Sequence, residues 1–269
     1  MRSLYFCGMS GILYALNFLK YYLTAQTKHD VHSPFVFGFV NKAINKKNHV
    51  PEFDQIENRR KELLKDDKLI SVTDYGTAFK GPKTYQRKIS AITYHSAKPA
   101  KYAQLLYRIV NYFKPQNILE LGTSFGFSTM YMASASKEAN IVTLEGCPET
   151  AKVATENFQQ MSLTNIEQVT GDFNHTLDEA INKFEKLDFV FFDGNHQKEP
   201  TLNYFQKCLN KSHIKSIFIF DDINWSPEMK EAWKEIQNHP KVTVTIDLFI
   251  LGIVFFNPDL TKQDFTIRF

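Results

Sequence analysis

From residue 98 onward, short apolar runs alternate with longer stretches in which apolar positions recur every three or four residues. The runs are NILEL, NIVTLE, IEQVT, LDFVFFD and SIFIFDD. Between them lie STMYMASAS, PETAKVATENFQQM, TLDEAINKF, PTLNYFQKCL and PEMKEAWKEIQ, and KYAQLLYRIVNYF precedes the first run. Continuous apolar runs of this length read as buried strands, and the 3.6-residue period reads as helices. Their alternation predicts parallel β-α-β units, and so a doubly wound α/β sheet. The end differs: VTVTIDLFILGIVFF holds two strand patterns with little room between them, which predicts a closing antiparallel hairpin.

Residues 1–97 have another texture, with helix-like patterns broken by polar stretches such as NKKNHVPEFD. Leu13, Leu16, Phe18, Leu19 and Leu23 recur at helical spacing and predict an amphipathic helix. The run around them is interrupted by Gly8, Ser10, Gly11 and Asn17, and it falls short of the ~20 apolar residues of a membrane span. No small-residue cleavage site follows, so a secretory signal is not the reading. The charged segment ENRRKELLKDDK reads as a solvated helix face. In KHDVHSPFVFGFV, Ser33 and Pro34 read as an N-cap and first helical residue, which is preferred over metal binding by His29, Asp30 and His32. The expected organisation is therefore a helical N-terminal extension over 1–97 and an α/β domain over 98–269.

Composition narrows the class. At 43% hydrophobic and 23% charged, the chain is an ordinary globular protein, and a net charge of +3 is too small to indicate a nucleic-acid partner. The 24 phenylalanines suggest a bulky core or pocket. Cys7, Cys147 and Cys208 are odd in number and scattered, so they make neither a disulfide framework nor a zinc cluster. A reducing compartment, the cytoplasm, is expected, with no membrane partner.

Candidate chemistry sits where the runs end, because open α/β sheets bind ligands beyond the carboxyl ends of their strands. The first run leads into ELGTSFGFST, with Glu120, Gly122, Thr123, Ser124, Gly126 and Ser128. Its G-x-x-x-G pattern lacks the middle glycine of a dinucleotide fingerprint. An acid in the turn also repels pyrophosphate and suits a cationic ligand such as S-adenosylmethionine. Glu145 and Gly146 follow the second run, and Glu145 is placed to accept from two ribose hydroxyls. Asp172 and Phe173 follow the third, where the acid can accept from an adenine amino group and the ring can pack on the base. Taken singly, each acid is equally a helix N-cap or a turn acid.

The fourth run ends at Asp193, with His196 three positions later, and the fifth ends at Asp221 and Asp222. Three carboxylates on one sheet edge repel unless a cation or proton lies among them. Hard oxygen ligands favour Mg²⁺ or a similar ion, and an imidazole with a free pKa near 6.5 suits a base. The plain alternatives are that Asp193 serves the cofactor or caps a helix, that Asp222 caps the helix near Ser226, and that His196 is a turn residue.

ELGTSFGFST, TLEG, GDF and FFDG together resemble a class I S-adenosylmethionine-dependent methyltransferase over roughly residues 98–257. The resemblance implies a Rossmann-like seven-stranded sheet of order 3-2-1-4-5-7-6 with strand 7 antiparallel. It also implies cofactor contacts from Glu120, Gly122, Glu145 and Asp172. The ends of the fourth and fifth runs are similar to the metal-dependent O-methyltransferases of the catechol and caffeoyl-coenzyme A type. The chain departs from that pattern at His196, where those families have Lys, and at Asp222, where they have Asn. Both departures look like the macrolide-sugar branch, which implies His196 as base with Asp193, and a metal held by Asp193, Asp221 and Asp222.

The expectation is methyl transfer to a hydroxyl of a small-molecule acceptor, with a homodimer possible. Substrate choice is assigned to the N-terminal extension, where VTDYGTAFKGPKTYQRK reads as a lid or as a loop for an acidic substrate. Trp225 reads equally as a pocket wall or as core. An RNA or protein methyltransferase and a nucleotide-binding protein of another kind are the alternatives. DGNH in place of Asn-Pro-Pro-Tyr and the absent G-x-G-x-x-G argue against them.

Overall fold

A computed structural model describes residues 11–46, 49–75 and 83–269. The chain divides into two compact units: a central one over Lys46–Lys183, and a terminal one made of the chain up to Asn45 together with Phe184–Phe269. This partition runs elsewhere than residue 97, because the first helices pack on the last strands.

In chain order, the terminal unit opens with α1 (Gly11–Thr24) and α2 (Pro34–Phe39), the latter running on into a π-helical turn, Val40–Ile44. Ser33 accepts from the Val36 amide as N-cap of α2, with Pro34 in the first turn, as its sequence predicts. The central unit holds α3 (Pro51–Leu63), β1 (Leu69–Asp74), β2 (Lys83–Lys88), α4 (Ile89–Ser96) and α5 (Ala100–Phe113). It continues with β3 (Asn117–Leu121), α6 (Phe127–Ala135), β4 (Asn140–Glu145), α7 (Pro148–Gln160), β5 (Ile166–Thr170) and α8 (Phe173–Asn182). The chain then returns to the terminal unit with β6 (Phe189–Phe192), α9 (Lys198–Leu209), β7 (Ile217–Phe220) and α10 (Pro227–Asn238), and ends in β8 (Val244–Asp247), β9 (Gly252–Phe255) and β10 (Gln263–Thr266).

In the central unit β3, β4 and β5 are parallel, in the order β5-β4-β3. β1 and β2 form a separate antiparallel hairpin. Apolar side chains of α3, α4, α5, α6 and α7, among them Phe53, Ile56, Ile92, Tyr107, Met130 and Phe158, form its core. In the terminal unit the order is β6-β7-β9-β8-β10. β6 and β7 are parallel, and β9 is antiparallel to both β7 and β8. The predicted closing hairpin is thus β8–β9.

Each half of the expected strand order is present, 3-2-1 as β5-β4-β3 and 4-5-7-6 as β6-β7-β9-β8, but among the described residues the strands in these two orders number eight rather than seven. β10 is the addition, and it pairs parallel with β8. Its residues pair with what would otherwise be an open row of backbone donors and acceptors on β8. Phenylalanines fill β6 and β7, where every residue is buried, and the Phe192 and Phe220 rings stack at 4.4 Å.

Candidate active site

The central unit builds one group of polar residues around Glu120. This carboxylate is wholly buried, at 0% exposure. It accepts hydrogen bonds from Ser128 Oγ at 2.5 Å, Thr143 Oγ1 at 2.7 Å and Thr129 Oγ1. The register of β3 on β4 sets Glu120 opposite Thr143, which is why that hydroxyl reaches it. Thr123 Oγ1 lies 2.6 Å from Thr143 Oγ1 and donates to it, since Thr143 gives its own proton to Glu120. Burial pushes the Glu120 carboxyl up, against the three hydroxyl bonds. Glu120, Thr123 and Ser128 were all expected to touch a cofactor; the structure turns their side chains inward, as the frame beneath the loop.

The loop between β3 and α6 has its rim at Ser124 and Glu145. Ser124 is left-handed at φ 49°, and its amide donates to Glu145 Oε2 at 2.8 Å. The Cys147 amide donates to the other oxygen, Oε1, at 2.9 Å. Each oxygen keeps a lone pair for a further donor, as a ribose diol needs. Desolvation raises the Glu145 pKa to about 7, with the Cys147 and Ser124 amides opposing it. Gly122 is left-handed at φ 102°. Gly126, at φ 79°, is the N-cap of α6, and a Cβ there would lie 2.3 Å from the Phe158 ring, so this glycine serves close packing.

A Cβ on Gly146 would lie 3.0 Å from the Tyr75 ring, and Cys147 Sγ accepts from the Thr73 amide at 3.4 Å. The β1–β2 hairpin therefore sits on the turn after Glu145. The lid reading of its connecting loop falls mostly on residues 76–82, outside the described residues. Asp172 is the N-cap of α8, accepting from Asn174 N at 2.9 Å, and Phe173 is the first residue of that helix.

The terminal unit builds the second group. β6 and β7 pair in register with Phe192 opposite Phe220, so the next residues, Asp193 and Asp221, emerge side by side. The Asp221 amide donates to the Phe192 carbonyl at 2.9 Å, extending the ladder by one bond. Asn195, left-handed at φ 52°, turns the chain so that His196 comes back toward Asp193, with Nε2 to Oδ1 at 3.8 Å. One donor atom each from Asp193, His196 and Asp221 lies within 4.8 Å of the others. Asp221 is 2% exposed, whereas Asp193 and His196 are partly accessible.

Asp222 is not in this group. Its backbone is left-handed at φ 54°, and its carbonyl accepts from the Trp225 amide. The helix it was considered to cap is capped by Ser226 instead, whose Oγ accepts from Met229 N at 3.1 Å. The donor atoms that lie together thus come from Asp193, His196 and Asp221, and Asp222, expected as a third carboxylate, is not among them. Trp225 is half-buried, and its ring lies 6.3 Å from that of Tyr14 on α1. Thr129 and Thr143 had no reading as functional residues; the only sequence signal was a hydroxyl inside an apolar stretch, which becomes meaningful once a buried acid is seen to need donors.

The comparisons bear on this arrangement. Residues 119–223 match a family model described as a methyltransferase domain. A catechol O-methyltransferase of Niastella koreensis is 30% identical over 176 residues, covering 64% of this chain and 73% of that protein. One from Mycobacterium tuberculosis is 29% identical over 129 residues, covering 47% and 57%. A solved O-methyltransferase of Bacillus cereus, in complex with SAH, shares the fold with a TM-score of 0.55 at 20% identity, over 82% of this chain and 97% of that one. The chain belongs to the class I S-adenosylmethionine-dependent O-methyltransferases, and it is an enzyme of that class.

Proposed function

We propose that this enzyme methylates a hydroxyl group of a small-molecule acceptor, with a divalent cation held by Asp193 and Asp221 and the hydroxyl proton taken by His196. The observation that carries the reading is the convergence of Asp193, His196 and Asp221 within 4.8 Å, in register at the ends of two parallel strands. Two carboxylates offer the hard oxygen ligands that Mg²⁺ or Mn²⁺ takes, and the imidazole beside them stays free to act as a base. When bound, such an ion lowers the pKa of a coordinated hydroxyl. Asp193 and Asp221 orient the acceptor oxygen, and His196 Nε2 accepts its proton. The oxygen then forms a bond to the methyl carbon as the carbon–sulfur bond breaks, leaving its electron pair on a neutral thioether.

On the donor side, Glu145 accepts from the ribose hydroxyls. The loop at Gly122, Thr123, Ser124 and Gly126 lies along the amino-acid portion, with Gly146, Asp172 and Phe173 at the adenine. Glu120 and Ser128 hold that loop from below. The β1–β2 hairpin covers the adenosine side. Buried Cys147 and Cys208, neither in a disulfide, suit a cytoplasmic enzyme. The catechol O-methyltransferase relatives favour a small acceptor over RNA or protein.

Asp221→Asn and His196→Ala are expected to lower kcat by at least about a hundredfold while leaving the calorimetric affinity for S-adenosylhomocysteine within a few-fold. Full turnover in excess chelator would remove the cation from the scheme.

A further inference from the structure

Helix α1, GILYALNFLKYYLT, is apolar nearly all round. One side rests on the terminal unit, where the rings of Tyr14, Phe18 and Tyr21 lie 5.1 to 5.2 Å from that of Phe249. The other side faces water. Ile12, Leu16, Leu19 and Leu23, spaced four, three and four residues apart, are 76%, 56%, 52% and 69% exposed. Residues at that spacing form one stripe along a helix. Such a stripe approaches the few hundred Å² that mark the largest patches on soluble monomers. The helix has no acidic residue and one cation, Lys20.

Further cations stand around it. Lys230 is held below its usual range first by burial and also by the Lys20 ammonium, with Asp247 opposing. The Arg268 guanidinium lies 4.6 Å from the centre of the exposed Tyr22 ring. Asp247 lies near Lys230, and its carboxylate accepts from the Phe249 amide at 2.6 Å.

We infer that the outer face of α1 is a docking surface for an anionic lipid membrane, in which the helix lies parallel to the bilayer plane. An apolar stripe bordered by cations matches the acyl boundary beneath acidic headgroups. A second copy fits less well, because pairing this face with itself would bring Lys20, Lys230 and Arg268 of each copy together. Lying on a membrane differs from crossing one: among the described residues, no helix is long and apolar enough to span. Through Tyr14 the helix touches Trp225, so docking sets the loop after Asp221 close to the lipid boundary.

Co-sedimentation of the full chain with vesicles tests this. Binding is expected to vesicles containing phosphatidylserine, weaker binding to phosphatidylcholine alone, and release as salt rises. Leu16→Asp with Leu19→Asp should weaken binding at least roughly tenfold, with S-adenosylhomocysteine affinity unchanged. Lys20→Glu should erase the preference for anionic vesicles. Because donor affinity is read separately, loss of the docking idea leaves the proposed reaction standing. Should the double variant fail to fold, Leu23→Trp gives a second reading: brominated acyl chains should quench its added fluorescence. No vesicle binding, unchanged binding by the double variant, absent quenching, or a dimer split by the double variant without any lipid affinity would each overturn the inference.

Discussion

Glu145 carries two opposed demands. It is desolvated enough for its pKa to rise to about 7, yet two backbone amides point at its oxygens as if to an anion. A carboxyl whose folded pKa lies above its unfolded value favours the folded state most below the unfolded pKa. That contribution is lost as pH climbs from the ordinary glutamate range to about 7. Ribose hydroxyls donate best to the ionised form, so donor affinity should move the other way. If only the anion binds, affinity for S-adenosylhomocysteine rises roughly tenfold between about pH 6 and pH 8. Titration calorimetry across that range checks it, and Glu145→Gln should bind weakly with a flat profile. The same variant should raise the melting temperature more at pH 8 than at pH 5. The position of Glu145 at a strand tip was legible from TLEG alone. That the Ser124 and Cys147 amides claim its oxygens was not, because the first bond depends on a left-handed turn at Ser124 and the second on the turn the chain takes after β4.

At the scale of elements, the β3–α6 turn and the β6–β7 pair do most to place chemistry. Gly126 is the N-cap of α6 with a backbone that L-residues rarely adopt, and the Phe158 ring stands where a Cβ would go. Gly126→Ala should therefore cost about 2–4 kcal/mol, from backbone strain and overpacking together. A urea midpoint shift at unchanged slope would show it. In the sequence this glycine looked like a ligand-approach residue, since a G-x-x-x-G spacing does not reveal which ring packs behind it. The strands themselves were readable because buried parallel strands need unbroken apolar runs. β10 was not: QDFT has one buried apolar residue, and it becomes a strand through its pairing with β8. That His196 comes to lie beside Asp193 while Asp222 lies outside the cluster has a similar origin, in the φ of 52° at Asn195 and 54° at Asp222.

For the whole molecule, donor and cation should act as separate stabilising ligands, because each centre is built from side chains of one unit. S-adenosylhomocysteine at a hundred times its Kd should contribute about 2.7 kcal/mol, a rise of several degrees in melting temperature. Mg²⁺ or Mn²⁺ should add its own rise. Asp221→Asn should abolish the metal shift and keep the donor shift within about 0.5 kcal/mol. Thermal scans with each ligand alone and with both together decide this.

The order of apolar runs and helical periods, with acids at the run ends, was enough to specify an α/β sheet, its closing hairpin and a methyltransferase-like set of motifs. Those features follow from burial, which the chain encodes position by position. Which acid faces inward, which carboxylate joins His196, and which side of α1 stays in water were settled only in three dimensions. Register, left-handed turns and the packing of distant segments decide them, and each joins residues that the linear pattern keeps apart.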